Sequence, residues 1–94
     1  MLLKWNRWAI EDLSEIEAFI SEEKPMAAQK FMERLQHTCG LLESSPKLGR
    51  AGRVKGTREL IVSSTRYIIA YRLLDQEIEI LRVIHSAMRW PSHF

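Results

Sequence analysis

Three apolar, β-branched runs lie close together in the second half of the chain, and their spacing constrains the fold more than any other feature. The runs span Glu59–Ser63, Tyr67–Leu74 and Glu77–Ile84, and only short polar connections separate them. Runs of strand-forming residues with turn residues between them are typical of consecutive hairpins. The sequence therefore predicts a three-stranded antiparallel meander.

Two amphipathic helices are predicted ahead of the meander. The first, over residues 7–22, begins after Asn6, whose side-chain oxygen can accept from a free N–H of the first turn. Glu11 and Asp12 are expected in that turn, where the helix dipole favours acids. The second, over residues 25–43, begins at Pro25, whose missing N–H would have no partner there. The apolar stripes at helical spacing are Ala9, Leu13, Ile16 and Ile20 in the first helix, and Ala28, Phe31, Leu35, Thr38 and Leu42 in the second.

A short apolar run at Met1–Trp5 is interpreted as a first strand. Together these elements predict a single α+β domain over residues 1–94 with the order β-α-α-β-β-β. The helices are expected to form an antiparallel hairpin that packs on one face of a small, mainly antiparallel sheet.

A two-residue turn at Asp75-Gln76 would set the register of the last two strands. The predicted cross-strand pairs are Leu73 with Ile78, Tyr71 with Ile80, Ile69 with Arg82, Tyr67 with Ile84 and, on the opposite face, Arg72 with Glu79. Both faces of the sheet are then largely apolar, and a hairpin of two helices can cover only one. The second face needs a loop, a second copy or a partner, and we expect a partner segment.

The positive charge is concentrated in the second half of the chain. Residues 1–46 carry five Lys and Arg against eight Asp and Glu, whereas residues 47–94 carry nine against four, so the net charges are −3 and +5. Four of the cations lie in the glycine-rich segment 47–56, here called the cationic loop. This segment is either a solvated connection or a surface for a polyanion.

Several classes of protein and site are not expected. No apolar run approaches the roughly 18 residues that span a bilayer, and the first residues lack the pattern of a secretory signal, so a cytoplasmic location is expected. The single cysteine, Cys39, cannot form an intrachain disulfide. No His, Cys, Asp and Glu cluster has metal-ligand spacing, so no metal or other cofactor is expected.

Cleavage of RNA without a metal requires a base, an acid and cations that stabilise the phosphorane. His85, at the end of the last predicted strand, is the natural proton carrier because histidine exchanges protons readily near neutral pH. The candidate phosphate and nucleic-acid contacts are Arg50, Arg53, Lys55, Arg58, Arg66 and Arg89, and the candidate stacking surfaces are Tyr67 and Trp90.

Structural roles compete with these assignments. A single histidine at a strand end is commonly structural, Tyr67 can belong to the core, and Trp90 can end the fold by packing against the rim of the sheet. Arg82 is flanked by apolar strand residues, and this position favours a structural ion pair.

The segments GTRELIV, YIIAYR and ILRVIHSAMRWP resemble the RelE/ParE superfamily of bacterial toxins, and the resemblance covers nearly the whole chain. It implies the toxin of a type II toxin–antitoxin pair. Members either cleave mRNA on the ribosome or inhibit DNA gyrase. The implied partners are therefore a cognate antitoxin, covering the open sheet face and the cationic rim, and either the ribosome with mRNA or gyrase.

The resemblance supports both activities. RelE-type ribonucleases carry two basic residues and a glycine before the second strand, and Arg53, Lys55 and Gly56 are similar. Several of their relatives place a histidine near the end of the last strand and an aromatic after it, as His85 and Trp90 do here. This match favours a metal-independent mRNA endoribonuclease with His85, Arg53, Lys55 and Arg89 as catalytic residues.

Two departures and one further similarity keep the gyrase alternative open. RelE has an arginine where this chain has Ser63, and its C-terminal tyrosine has no counterpart before Phe94. The run His85-Ser86-Ala87-Met88 resembles the ParE gyrase inhibitors equally well, and in that family the histidine is not assigned catalysis.

Overall fold

The elements follow the predicted order in a computed structural model that describes all 94 residues. The bounds are β1 Leu2–Trp5, α1 Arg7–Glu23, α2 Pro25–Ser44, β2 Arg50–Ala51, β3 Arg58–Ile61, β4 Tyr67–Leu73 and β5 Glu77–His85. The predicted α+β class is confirmed. One element was missed, because the two-residue β2 lies inside the segment predicted to be a loop.

The two helices form the predicted hairpin, with only Lys24 between them. Asn6 caps α1 as predicted, since its Oδ1 accepts from the Ala9 N–H at 2.9 Å. The placement of Glu11 and Asp12 was wrong, because α1 begins at Arg7 and its first turn contains no acid. Neither helix is long and apolar enough to cross a membrane.

The five strands form one sheet in the order β1-β5-β4-β3-β2. β1 pairs with β5 in parallel, and all other pairs are antiparallel. The predicted register holds from the turn as far as Tyr71 opposite Ile80, and Arg72 contacts Glu79 at 2.6 Å. Beyond this point the predicted register was wrong, because a bulge at Leu81 shifts the pairing by one residue. Ile69 therefore lies opposite Val83, and Tyr67 lies opposite His85.

The helices cover one face of the sheet. The buried residues that form this core are Ala9, Ile16, Phe31, Leu35, Leu42, Val62, Ile69, Tyr71, Ile78, Ile80 and Val83. Both predicted stripes contribute to it, with Leu13 and Ile20 packed at its margin. Burial of these side chains is the main stabilising contribution to a domain of this size.

Most of the second face of the sheet is buried within the chain, where a partner segment was expected, and Ile61 on β3 is an exposed apolar residue of this face. Ile68, Ala70, Leu81 and Ile84 are buried within the single chain. Residues directly opposite each other on paired strands point to the same face, so Glu59, opposite Ala70, also points to this second face. Glu59 accepts from the Arg53 N–H and from the Arg50 guanidinium, so the cationic loop contributes contacts at this face without any partner.

Candidate functional site

A groove of about 950 Å³ runs beside the end of β5. One wall is α1, from Asp12 to Phe19, and the other is the segment from Ala87 to Pro91. Its floor is the last four residues of β5, Arg82–His85. The groove therefore brings together parts of the chain that lie more than 60 positions apart in sequence.

The floor contains an unpaired strand edge. β1 pairs with β5 only as far as Ile80, so the outer edge of β5 has no partner strand beyond that residue. Because backbone groups alternate along a strand, Val83 and His85 direct their peptide groups to this outer side, while Ser86 bonds to Arg66 of the inner side. An unpaired edge of this kind is a template for an added strand.

Asp12 covers part of that edge. Its Oδ2 accepts from the Val83 N–H at 3.0 Å. Its two oxygens also accept from Nε and a terminal nitrogen of Arg82 at 2.7 and 2.9 Å, which confirms the predicted ion pair at Arg82. This hydrogen-bonded carboxylate raises the pKa of Arg82 above its ordinary value. This pair of hydrogen bonds joins α1 to β5 within the lining of the groove.

The walls of the groove carry exposed apolar side chains. Phe19 of α1 and Met88 of the opposite wall are 62% and 64% exposed. Large apolar side chains exposed next to a free strand edge are typical of a binding surface for another polypeptide.

His85 lies at the end of the groove floor and is half buried. Its Nδ1 accepts from the Ala87 N–H at 3.0 Å, so the neutral ring carries its proton on Nε2. Its ring packs edge-on against Tyr67, with 5.1 Å between centroids. Tyr67 in turn packs edge-on against Phe31 at 5.2 Å, at the margin of the core. Tyr67 therefore packs between the imidazole and the margin of the core.

Arg53 is held between an acid and an aromatic ring. The Glu59 carboxylate accepts from the Arg53 N–H at 2.7 Å and lies 3.6 Å from its Nε. The Arg53 guanidinium lies 4.0 Å from the centre of the Trp90 ring. This geometry is a cation–π contact. The Trp90 Nε1–H is itself buried and has no acceptor within the chain.

The other predicted contacts divide into two groups. Arg50 pairs with Glu59 at 3.3 Å, and Arg58 donates to the Lys47 and Gly49 carbonyls at 3.3 and 2.8 Å. The side chains of Lys55, Arg66 and Arg89 are exposed and make no hydrogen bond or ion pair within the chain. Of these three cations, only Arg89 lines the groove with His85. No group of His, Cys, Asp and Glu side chains could hold a metal ion.

Two residues of this region were missed by the sequence reasoning. Glu59 carries a detectable signal, because it is the one acid in the run from Lys47 to Arg72 and lies just beyond the cationic loop, after Thr57 and Arg58. Asp12 carries none, because its partner Arg82 lies 70 positions away.

Comparisons with known proteins identify the family of this chain. The family described as "ParE toxin of type II toxin-antitoxin system, parDE" matches residues 3–90. The candidate toxin Y4kP of Sinorhizobium fredii is 38% identical over 90 residues, which cover 96% of this chain and 93% of that protein. Toxin RelE2 of Caulobacter vibrioides is 34% identical over 83 residues, which cover 88% of this chain and 92% of that protein.

A solved structure of the chromosomal ParDE toxin–antitoxin system from P. aeruginosa contains a similar chain. Its TM-score is 0.80 at 28% identity, over 90% of this chain and 95% of that one. These matches confirm the resemblance to the RelE/ParE superfamily. The chain therefore belongs to the ParE toxin family of type II toxin–antitoxin systems.

Proposed function

We propose that this toxin inhibits DNA gyrase by binding it, as ParE-type inhibitors do, and that it cleaves no RNA. The proposal is supported chiefly by one observation. Two of the arginines predicted to contact phosphate bind other groups of the same chain instead. Arg53 is shared between Glu59 and Trp90, and Arg58 is bound to two carbonyls. Guanidinium groups engaged in this way must give up contacts within the chain before they can bind a phosphorane.

The arrangement around His85 supports the same conclusion. Efficient general acid–base catalysis needs a second proton carrier and cations that converge on the same phosphate. The polar contacts of the His85 ring are limited to the Ala87 amide, and no cation is hydrogen-bonded to it. The buried acid Glu59 also neutralises part of the charge on Arg50 and Arg53.

We further propose that the cognate antitoxin docks in the groove. An extended antitoxin segment would pair with the outer edge of β5 where Asp12 and Met88 leave it free, and place apolar side chains against Phe19 and Met88. This replaces the open sheet face as the expected antitoxin site, because the chain buries most of that face itself.

Ribosome-dependent mRNA cleavage is the second candidate, and one observation favours it. The proton on Nε2 of His85 lies at the end of an open groove that Arg89 also lines. An mRNA bent into this groove on the ribosome would meet a proton donor and a free cation.

The two functions are separated by inducing the toxin and measuring replication and translation within minutes. We expect DNA synthesis to stop first while mRNA stays intact, and the purified toxin to inhibit supercoiling by gyrase. We expect His85→Gln to keep at least about half of the inhibition, because a glutamine oxygen can still accept from the Ala87 N–H. Loss of translation first, with mRNA cut on ribosomes and no toxicity in the His85→Gln variant, would establish the nuclease instead.

A further inference from the structure

We propose that Glu59 is a positioning residue, which fixes the C-terminal segment (residues 86–94) through Arg53 and Trp90. The proposal rests on the proposed function only in its effect on toxicity. It assigns a role to a side chain that lies on β3, away from the groove itself.

The first step is the burial of the Glu59 carboxylate. The residue is 3% exposed, and its side chain lies on the second face of the sheet, next to Ala70. Burying a carboxylate is costly unless charged partners and hydrogen bonds compensate it. Here the compensation comes from the cationic loop, through the Arg53 N–H and the Arg50 and Arg53 guanidinium groups. The acid therefore sets where Arg53 lies.

The second step is the contact between Arg53 and Trp90. The guanidinium lies over the indole at 4.0 Å while its Nε faces Glu59. The hydrogen-bonded turn after β5 ends at Met88, which donates its N–H to His85. From Arg89 onward, no backbone or side-chain hydrogen bond ties the segment to the rest of the chain. Trp90 is therefore held by packing alone, and the stack on Arg53 is the part of that packing that Glu59 controls.

The third step connects Trp90 to the groove. Met88, Arg89 and Trp90 form one groove wall, and they are consecutive in the chain. Because Arg89 has no hydrogen bond of its own, we expect a displaced Trp90 to move Arg89 and the adjoining Met88 side chain relative to α1. Through this linkage, a buried acid on β3 determines the shape of a binding surface beside β5.

The test reads Trp90 directly in the full-length chain. The three tryptophans give three indole N–H signals in a proton–nitrogen NMR spectrum, and Trp90→Phe assigns one of them. In Glu59→Gln we expect the Trp90 signal to move to the position of a solvated indole. We expect its hydrogen exchange to accelerate roughly tenfold or more, because its burial is lost. The signals of Trp5 and Trp8 are expected to stay in place.

Arg53→Ala removes the contact between Arg53 and Trp90 without changing the buried acid. If Glu59→Gln fails to fold, this second variant tests the proposal. Arg50→Ala is the matched control, because Arg50 pairs with Glu59 but makes no cation–π contact with Trp90. An unmoved Trp90 signal in Arg53→Ala, or an equal displacement in Arg50→Ala, would overturn the proposal.

The effect on toxicity is measured separately. We expect Glu59→Gln to raise the toxin concentration that half-inhibits gyrase supercoiling by about tenfold, which corresponds to about 1.4 kcal/mol. If Trp90 is displaced in Glu59→Gln but inhibition of gyrase is unchanged, Glu59 does not act on the binding surface. Failure of the unsubstituted toxin to inhibit gyrase would instead contradict the proposed function and leave the NMR result standing.

Discussion

At the scale of single residues, Cys39 shows how burial lowers the reactivity of a side chain. It lies in α2 with its side chain half buried against the core. Burial, together with the nearby charge of Glu43, raises the pKa of the Cys39 thiol to about 11. The thiol is therefore protonated at physiological pH and acts as a small apolar side chain.

We expect Cys39 to react slowly with iodoacetamide in the native protein. A pKa near 11 instead of 9.0 lowers the thiolate fraction at pH 8 by about a hundredfold. The labelling rate should therefore rise with pH until about 11 in the folded chain, and only until about 9 in urea. Mass spectrometry of the labelled protein measures both rates, and equal rates in the two conditions would contradict the assignment.

At the scale of the elements, Tyr71 of β4 binds the connection between α2 and β2. Its hydroxyl donates to the Pro46 carbonyl at 2.7 Å and accepts from the Gly49 N–H at 2.9 Å. Desolvation by burial raises the pKa of Tyr71 above its ordinary value, so the hydroxyl remains a donor. These two hydrogen bonds tie the start of the cationic loop to β4.

Two glycines provide a matched pair of substitutions. A Cβ added at Gly49 would lie 2.7 Å from the Tyr71 hydroxyl and 2.8 Å from the Glu59 carbonyl, so Gly49→Ala should destabilise the fold by about 2 kcal/mol. A Cβ at Gly40 meets nothing within 4 Å, so Gly40→Ala should stabilise α2 by about 1 kcal/mol. Urea denaturation of the two variants measures both values. If both substitutions change the free energy of unfolding in the same direction, either the steric clash at Gly49 or the gain in helix propensity at Gly40 has been assigned wrongly.

At the scale of the whole molecule, the groove depends on three separate parts of the chain. α1 supplies Phe19, β5 supplies the free edge, and the C-terminal segment supplies Met88. The pair of hydrogen bonds between Asp12 and Arg82 joins the first two. The long-range part of the fold therefore creates the surface that a partner would meet.

Substitution of Phe19 tests the groove as the antitoxin site. A phenylalanine buried on binding contributes about 1.5–3 kcal/mol, so Phe19→Ser should weaken antitoxin binding about tenfold or more. Met26→Ser is the control, because Met26 is 69% exposed but lies outside the groove. Calorimetric titration of the toxin with its co-expressed antitoxin measures both affinities. Equal losses in the two variants would place the antitoxin elsewhere.

The features that the sequence predicts correctly are those set by local interactions. Three of these features depend on residues that are close together in the sequence. They are the helix starts at Asn6 and Pro25, the apolar stripes, and the pairing of Tyr71 with Ile80 across a short turn. Such preferences act in any chain with these residues. The α+β class and the family resemblance could therefore be derived before any tertiary contact was known.

Tertiary structure alone decided the bulge at Leu81, the burial of most of the second sheet face and the geometry of the site. A bulge depends on how a strand fits the helix and sheet beside it, which one strand's residues do not specify. The partners of Arg53 and Arg58 depend on which buried groups need compensation once the loop folds back. The chain alone shows where cations and a histidine occur, whereas only long-range packing determines which of them are free to bind another molecule.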